Sequence, residues 1–386
     1  MRAAIRNVAF IQITCATVLG LAATDLVLPA IPILPQALGG TAAQAQFVLA
    51  VFVAGFAAGL LIFGELGARR AQRSLLAGGL ALFAGCSVLA ATASSIEELI
   101  AWRALQGFAV AAGPALAPGV IRAIFDERQA VRAFGLQGSI EAIVPAVGPI
   151  VGAWLLVHYP WQASFVLLAV LALVVSALAL LMPDAAFMAP AARSRGGYRL
   201  LLRNRAFLCF GLSQAFTLGG LLVLVFGAPA VMVRALGGTL PDFILMQVLG
   251  VGSFIIAANM AGTLVARFGA VRMIMAGSII SAAGCCALLA YAAANGRSPL
   301  GMALLFVPVN LGLGLRGPPG FYQAIAAAGG DDSRAAALVV LAVLLTTAAG
   351  TALAAPWVTS GLLPMSAIAA GISLASVLTL RLRPRT

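Results

Sequence analysis

The chain has 386 residues, 62% of them hydrophobic and 9% charged, with a formal net charge of +12 and a mean hydropathy of +1.09. Soluble domains carry about 25% charged residues, so a water-soluble globule is excluded. Lysine is absent, so no Gly-x-x-x-x-Gly-Lys-Ser/Thr phosphate loop exists and ATP-driven transport by this chain is unsupported.

Apolar runs recur from Val8 to Leu380. A spanning helix needs roughly 20 residues. The runs are continuous in Leu, Ala, Val and Gly, without the strand alternation of an outer-membrane barrel. They predict an all-α membrane protein with spans at 8–34, 44–66, 74–93, 98–122, 133–157 and 161–182, then 206–232, 240–265, 272–294, 299–324, 334–357 and 362–380. The polar segment 183–205, with Pro183, Asp184, Gly196 and five arginines, reads as a cytoplasmic linker between six-helix halves at 1–182 and 206–386. Arg2 and Arg6 precede the first span as in a signal peptide, but its apolar stretch is too long and lacks a clean cleavage site before Pro29, so it reads as a retained helix.

With the amino terminus in the cytoplasm, the basic clusters around Arg6, Arg69–Arg73, Arg128–Arg132, Arg193–Arg205, Arg267–Arg272, Arg334 and Arg381–Arg385 share that side. Only Arg234 and Arg297 fall opposite. This positive-inside bias orients both termini to the cytoplasm and explains the net charge without nucleic acid. Cys15, Cys86, Cys209, Cys285 and Cys286 read as small buried hydrophobes without metal spacing. His158, the lone histidine, falls in an expected outer loop, so no metal, cofactor or catalytic set is expected.

The halves carry a repeat. Gly64-Glu65-Leu66-Gly67-Ala68-Arg69 follows the second span, and Gly262-Thr263-Leu264-Val265-Ala266-Arg267 follows the eighth. Both read GxLxAR at the same topological place. Parallel halves related about the membrane normal are the architecture of major facilitator transporters.

Four further segments carry a more specific resemblance. Asp25-Leu26-Val27-Leu28-Pro29-Ala30-Ile31-Pro32 lies in the first span and Arg103-Ala104-Leu105-Gln106-Gly107 in the fourth. Pro145-Ala146-Val147-Gly148-Pro149-Ile150-Val151-Gly152 lies in the fifth, and Trp161-Gln162-Ala163-Ser164-Phe165 opens the sixth. In order and spacing these resemble the motifs of twelve-span drug:proton antiporters of the major facilitator superfamily. The nearest type is Bcr/CflA, which includes chloramphenicol and florfenicol exporters. The resemblance implies a monomeric, multi-pass inner-membrane protein. Its task would be multidrug efflux and antibiotic resistance, exchanging a small amphipathic molecule for protons. Uptake of a metabolite, or a receptor that kept the fold, are the alternatives.

One motif departs from the pattern. The family's Gly-x-Leu-Ala-Asp-Arg-x-Gly-Arg-Arg loop is here Gly64-Glu65-Leu66-Gly67-Ala68-Arg69-Arg70-Ala71-Gln72-Arg73. Ala68 replaces an acid that helps hold the halves in one state. Glu65 lies nearby, and whether it substitutes is open.

Candidate site residues follow from charge at depth. An ionisable group at mid-span costs about 2.5–3.5 kcal/mol on the insertion scale and is usually functional. Asp25 is the first proton-coupling and substrate candidate, because a carboxylate in a low-dielectric cavity can exchange protons near neutrality. Arg103 is its expected partner, with outward snorkelling as the alternative. Glu141 falls seven residues before Gly148, where close exporters are apolar. It is a second proton carrier, a cation-binding group, or a protonated packing acid. Gln106 and Gln247 join the substrate-binding set, with Gln137, Gln214, Asn259 and Asn310 as weaker cavity candidates. Arg316 is either a snorkelling arginine or an anion site. Gly64, Arg69, Arg73, Pro145, Gly148, Pro149, Gly152, Gly262 and Arg267 are the conformational candidates, in turns, close helix contacts or a bend.

Overall fold

The computed structural model describes residues 2–182, 197–357 and 361–382. Most of the expected linker, with Arg193 and Arg195, lies outside these residues, as do Arg383 and Arg385. The first half contains α1 (Arg2–Asp25), a 3-10 turn at Leu28–Ile33, α2 (Leu34–Leu38), α3 (Ala42–Gly67), α4 (Gln72–Ala91), α5 (Ile96–Val110), α6 (Ala112–Ile124), α7 (Glu127–His158) and α8 (Ala163–Leu181). The second contains α9 (Gly197–Leu201), α10 (Arg205–Ala230), a π turn at Val231–Ala235, α11 (Leu240–Phe268), α12 (Ala270–Ala293), α13 (Pro299–Ala326), α14 (Asp332–Ala354), a 3-10 turn at Ala355–Trp357 and α15 (Leu362–Arg381). Among the described residues, twelve helical segments are long and apolar enough to cross a membrane.

Helix is the solution because a bilayer offers no hydrogen bonds, so each span must satisfy its own backbone. Side chains start the helices. The Thr41 hydroxyl accepts from the Gln44 N–H at 3.2 Å, and Gln44 Oε1 accepts from the Thr41 N–H at 2.8 Å. Ser95, Asn204 and Ser298 cap α5, α10 and α13 in the same way. Such caps contribute about 0.5–2 kcal/mol each.

Prolines break two of the expected continuous spans. Pro29 and Pro32 turn the end of span 1 into a 3-10 segment. Span 4 is two helices meeting at Ala111. Pro114 has no N–H for the Val110 carbonyl, and that missing bond falls at the junction. Span 5 starts at Glu127 rather than at 133, and His158 is the last residue of α7 rather than part of a loop. Cys15 is exposed, not buried.

The chain forms two compact units that do not coincide with the sequence halves. Unit 1 is Met1–Asp126, Ile140–Gly197 and Gly330–Leu338. Unit 2 is Glu127–Ser139, Tyr198–Gly329 and Val339–Thr386. Thus α7 begins in unit 2 and continues in unit 1, and α14 begins in unit 1 and continues in unit 2.

Inside each unit, glycines set the closest contacts. In unit 1, α3 lies against α5 backbone to backbone. A Cβ on Gly107 would stand 2.0 Å from the Phe52 carbonyl, and one on Gly55 would stand 2.0 Å from the Ala104 carbonyl. In unit 2, a Cβ on Gly312 of α13 would meet the Ser281 nitrogen of α12 at 2.4 Å, and one on Gly314 the Phe254 carbonyl of α11 at 2.6 Å. Lipid tails are as apolar as leucine, so close backbone approach rather than hydrophobicity drives such packing. The apolar core of unit 2 gathers around Leu224, Met232, Met246, Phe306 and Met365.

Gly107→Ala is expected to force α3 and α5 apart and to cost at least about 1–3 kcal/mol. A Cβ on Gly78 meets nothing within 4 Å, so Gly78→Ala is expected to be neutral or stabilising. Thermal unfolding in detergent checks the pair, and equal midpoints would refute the packing argument.

Candidate functional site

Asp25 closes α1, where proline-rich chain ends regular hydrogen bonding. It is half-buried. It rests on α7, which presents glycine at this level: a Cβ on Gly148 would stand 2.5 Å from the Asp25 Cβ. One turn on, a Cβ on Gly152 would stand 2.4 Å from the Leu26 carbonyl. Gly148 and Gly152 thus form a flat stripe for the end of α1. Pro145 and Pro149 lie inside one continuous helix, so the motif's visible role in this structure is close approach.

The end of α1 leaves carbonyls without helical partners. Ser164 Oγ donates to the Leu26 carbonyl at 3.1 Å. Arg103 Nη1 donates to the Ala23 carbonyl and to Gln106 Oε1, both at 3.1 Å, while its Nε donates to the Val48 carbonyl at 3.2 Å. The guanidinium lies 4.1 Å from the Phe52 ring centroid and 5.9 Å from that of Phe165. Gln106 Nε2 donates onward to Ser87 Oγ at 2.6 Å, and Ser87 to the Phe83 carbonyl at 2.7 Å. A cation at a helix C-terminus also meets the favourable end of the helix dipole.

Two expectations for Arg103 are corrected. It is 0% exposed, so it does not snorkel. Among the described residues it makes no ion pair with Asp25; its Nε and Nη1 donate to carbonyl and amide oxygens instead. Among the described residues Asp25 has no ion-pair or hydrogen-bond partner. Glu141, half-buried on α7, belongs to unit 1 as Asp25 and Arg103 do.

Arg316 of α13 is also 0% exposed, which corrects the snorkelling alternative. Its Nη1 donates to the Ser213 carbonyl at 2.9 Å and to Thr217 Oγ1 at 3.0 Å, and its Nη2 to Ser213 Oγ at 3.3 Å. Ser376 Oγ completes the cluster, 2.6 Å from Thr217 Oγ1 and 2.9 Å from Ser213 Oγ. Neutral oxygens thus take both Nη groups of this cation.

The amide candidates divide between the units. Gln106 belongs to the Arg103 network. Gln247 is half-buried in α11 of unit 2. Gln214 is buried, Asn310 donates to the Phe306 carbonyl at 3.0 Å, and Asn259 donates to Ser139 Oγ at 2.9 Å, all in unit 2. Gln137 is buried in the part of α7 that belongs to unit 2.

The conformational candidates outside α7 lie at or near helix ends. Gly64 is buried in the last turn of α3, and Arg69 pairs with Glu65. Arg73 Nη1 donates to the Met182 carbonyl at 2.6 Å, holding the end of α8. A Cβ on Gly262 would stand 2.3 Å from Arg132 Cγ, and Arg267 lies 5.2 Å from the Phe268 centroid. Sequence reading missed Asp331, Asp332, Arg122 and the role of Arg334, which form an ionic cluster with Glu65 in unit 1. The available signal was Asp331-Asp332-x-Arg334, charge concentrated at the start of an apolar span. Among the described residues no group of three or more His, Cys, Asp or Glu is placed to hold a metal.

The chain matches the model of the Major Facilitator Superfamily over residues 13–355. It belongs to that superfamily, a family of membrane transporters rather than enzymes. It is 29% identical to a chloramphenicol resistance protein of Pseudomonas aeruginosa over 255 residues, covering 66% of this chain and 61% of that one. It is 27% identical over 234 residues to the multidrug resistance protein MdtL of Shigella dysenteriae, covering 60% of each. The match thus spans about three fifths of the length of these curated relatives. Among solved structures, the proton:xylose symporter XylE has the same fold, with a TM-score of 0.74 at 16% identity over 98% of this chain and 95% of that one.

Arg103→Lys keeps the charge but not the planar fork that reaches two helices and an amide at once. It is expected to lower the thermal midpoint and to retain only part of the transport activity, and Arg103→Ala to lose more of both. Wild-type stability in both variants would show that these hydrogen bonds hold nothing together.

Proposed function

We propose that this chain is a secondary active transporter that exports a small amphipathic molecule in exchange for protons, working by alternating access. The observation that carries the reading is Asp25. It is a half-buried carboxylate inside a membrane span, seated on a glycine stripe, and among the described residues no cation pairs with it. The C-terminal end of a helix disfavours negative charge. A carboxylate so placed is suited to take up and release a proton. Arg103 supports it indirectly, by anchoring the last turn of α1 through the Ala23 carbonyl.

Likeness to chloramphenicol and multidrug resistance proteins supports export of drug-like molecules. Exchange follows if the proton and the substrate favour different states of the protein. Glu141 is proposed as a second proton carrier or a cation-binding group, and Gln106 and Gln247 as substrate contacts. The proposed setting is the inner membrane, as a monomer with both termini cytoplasmic. Reporter fusions at each end test that orientation.

Asp25→Asn is expected to abolish transport driven by a pH gradient in inside-out vesicles while the protein still inserts and folds. Full gradient-driven transport by that variant sinks the assignment. The direction of substrate movement under an imposed gradient separates export from uptake by symport.

For Glu141→Gln, the same vesicles are loaded with one neutral and one cationic compound across a range of pH. Selective loss of the cation is expected if Glu141 recognises charge, and an altered pH profile for both if it carries a proton. An unchanged profile for both compounds removes Glu141 from the site.

A further inference from the structure

One end of unit 2 carries arginines that no acid pairs with. In the sequence no acidic residue stands between Asp184 and Asp242, a stretch that includes Arg199, Arg203 and Arg205. All three side chains are exposed, and among the described residues none is in an ion pair. In unit 1, by contrast, Arg69, Arg122 and Arg334 each meet a carboxylate. Arg381, exposed at the end of α15, belongs to the same end of unit 2. Helices α10 and α15 run antiparallel. Ser213 Oγ lies 2.9 Å from Ser376 Oγ, and a Cβ on Gly220, later in α10, would meet the Ala369 carbonyl, earlier in α15, at 3.3 Å. The start of α10 and the end of α15 therefore lie together.

Exposed leucines are interleaved with these charges. Leu200 is 59% exposed, Leu202 55% and Leu382 77%. All three lie outside the apolar spans Arg205–Ala230 and Leu362–Arg381. A leucine within a span can face acyl chains. One beyond the end of a span faces water unless its surface lies in the headgroup layer, where apolar burial and attraction between charges act together. The segment is also fastened to unit 2. Leu201 is buried. Asn204 Nδ2 donates to the Ala327 carbonyl, just past α13, at 2.8 Å, and Asn204 Oδ1 accepts from the Phe207 N–H at 3.1 Å. The Leu202 N–H donates to the Tyr198 carbonyl and the Asn204 N–H to the Leu201 carbonyl, both at 3.0 Å, which carries the turn past the end of α9. Arginine and leucine are thus presented side by side on an anchored turn.

We propose that this surface, formed by Arg199, Leu200, Leu202, Arg203 and Arg205 with Arg381, binds anionic phospholipids of the surrounding bilayer. The arginines take the headgroup phosphates, whose oxygens match the guanidinium fork. The leucines reach the boundary with the acyl chains. Free phosphate would use the arginines alone and leave the leucines in water. Each arginine near an anionic surface strengthens binding by about fivefold. Binding calls for neither substrate nor proton gradient, so it stands apart from the transport reading above.

The test titrates the purified full chain, in a neutral detergent, with phosphatidylglycerol. Bound lipid is read by native mass spectrometry, and amide exchange is followed over 198–205. Saturable binding that slows exchange there and weakens as salt rises is expected. Arg199→Gln/Arg203→Gln/Arg205→Gln is expected to weaken binding by about a hundredfold. The matching triple lysine variant is expected to keep most of it, because phosphate also accepts a point charge. Leu200→Ser/Leu202→Ser is expected to weaken binding of phosphatidylglycerol but not of inorganic phosphate. Arg297→Gln, exposed between α12 and α13, is expected to change nothing. Equal binding of phosphatidylcholine, an equal loss in Arg297→Gln, or wild-type binding by the triple glutamine variant overturns the proposal. So does displacement of the lipid by inorganic phosphate with no effect of the leucine changes, which would mark a site for free anions. The thermal midpoint without lipid is expected to stay at the wild-type value, because the substituted side chains are exposed. Should the glutamine variant unfold, the leucine variant and the salt titration decide, and wild-type binding in the first or salt-independent binding in the second overturns the proposal.

Discussion

Two guanidinium groups, Arg103 and Arg316, lie fully buried without an acid in ion-pair contact, and helix packing in each unit is organised around them. Burying a charge costs several kcal/mol unless hydrogen bonds replace its water. Nε and Nη1 of Arg103 and both Nη groups of Arg316 find such bonds in oxygens that the helices supply. Arg103 collects the carbonyls of Ala23 and Val48 and the amide of Gln106, so α1, α3 and α5 must sit where those oxygens converge. Arg316 does the same with Ser213 and Thr217 of α10, which Ser376 of α15 joins. The planar fork of arginine suits this role, and lysine could not reach the same set.

Glycine makes those convergences possible. Arg103 can reach Val48 because Gly107 and Gly55 let α3 and α5 touch at the backbone. Gly277 and Gly312 bring α12 against α13 beside Arg316, where a Cβ on Gly277 would meet the Arg316 Cβ at 2.8 Å. Gly148 and Gly152 serve the end of α1 similarly. The same contacts place Asp25: its backbone is fixed by packing on α7, and its carboxylate has no ion-pair partner among the described residues. An acid tied to Arg103 would be a structural strut.

Charge at the helix ends has a different character. Glu65, Arg334, Asp331, Arg122 and Asp332 form pairs near a helix start, where the first backbone N–H groups also favour acids. Such pairs lie near helix starts, unlike the arginines in the middle of their helices. Within one unit, buried cations on carbonyls fix the packing, and ion pairs at the rim hold a turn of a helix that continues elsewhere.

By itself the sequence determined the class of fold. The count of spans, their helical nature and the paired GxLxAR segments follow from apolar length and period, which bilayer thickness and backbone hydrogen bonding dictate locally. It also marked Asp25 and Arg103 as charges at depth. Only the tertiary structure decided what those charges touch. An arginine can pair with an acid, snorkel or bind carbonyls, and the choice depends on which helix ends arrive beside it. The break at Ala111 was legible from Pro114 by local rules, yet an unbroken hydropathy run concealed it. The exchange of 127–139 and 330–338 between units, and the meeting of Glu65 with Arg334, join residues far apart in the chain. No local pattern encodes that distance, because long-range pairing is set by how whole helices pack.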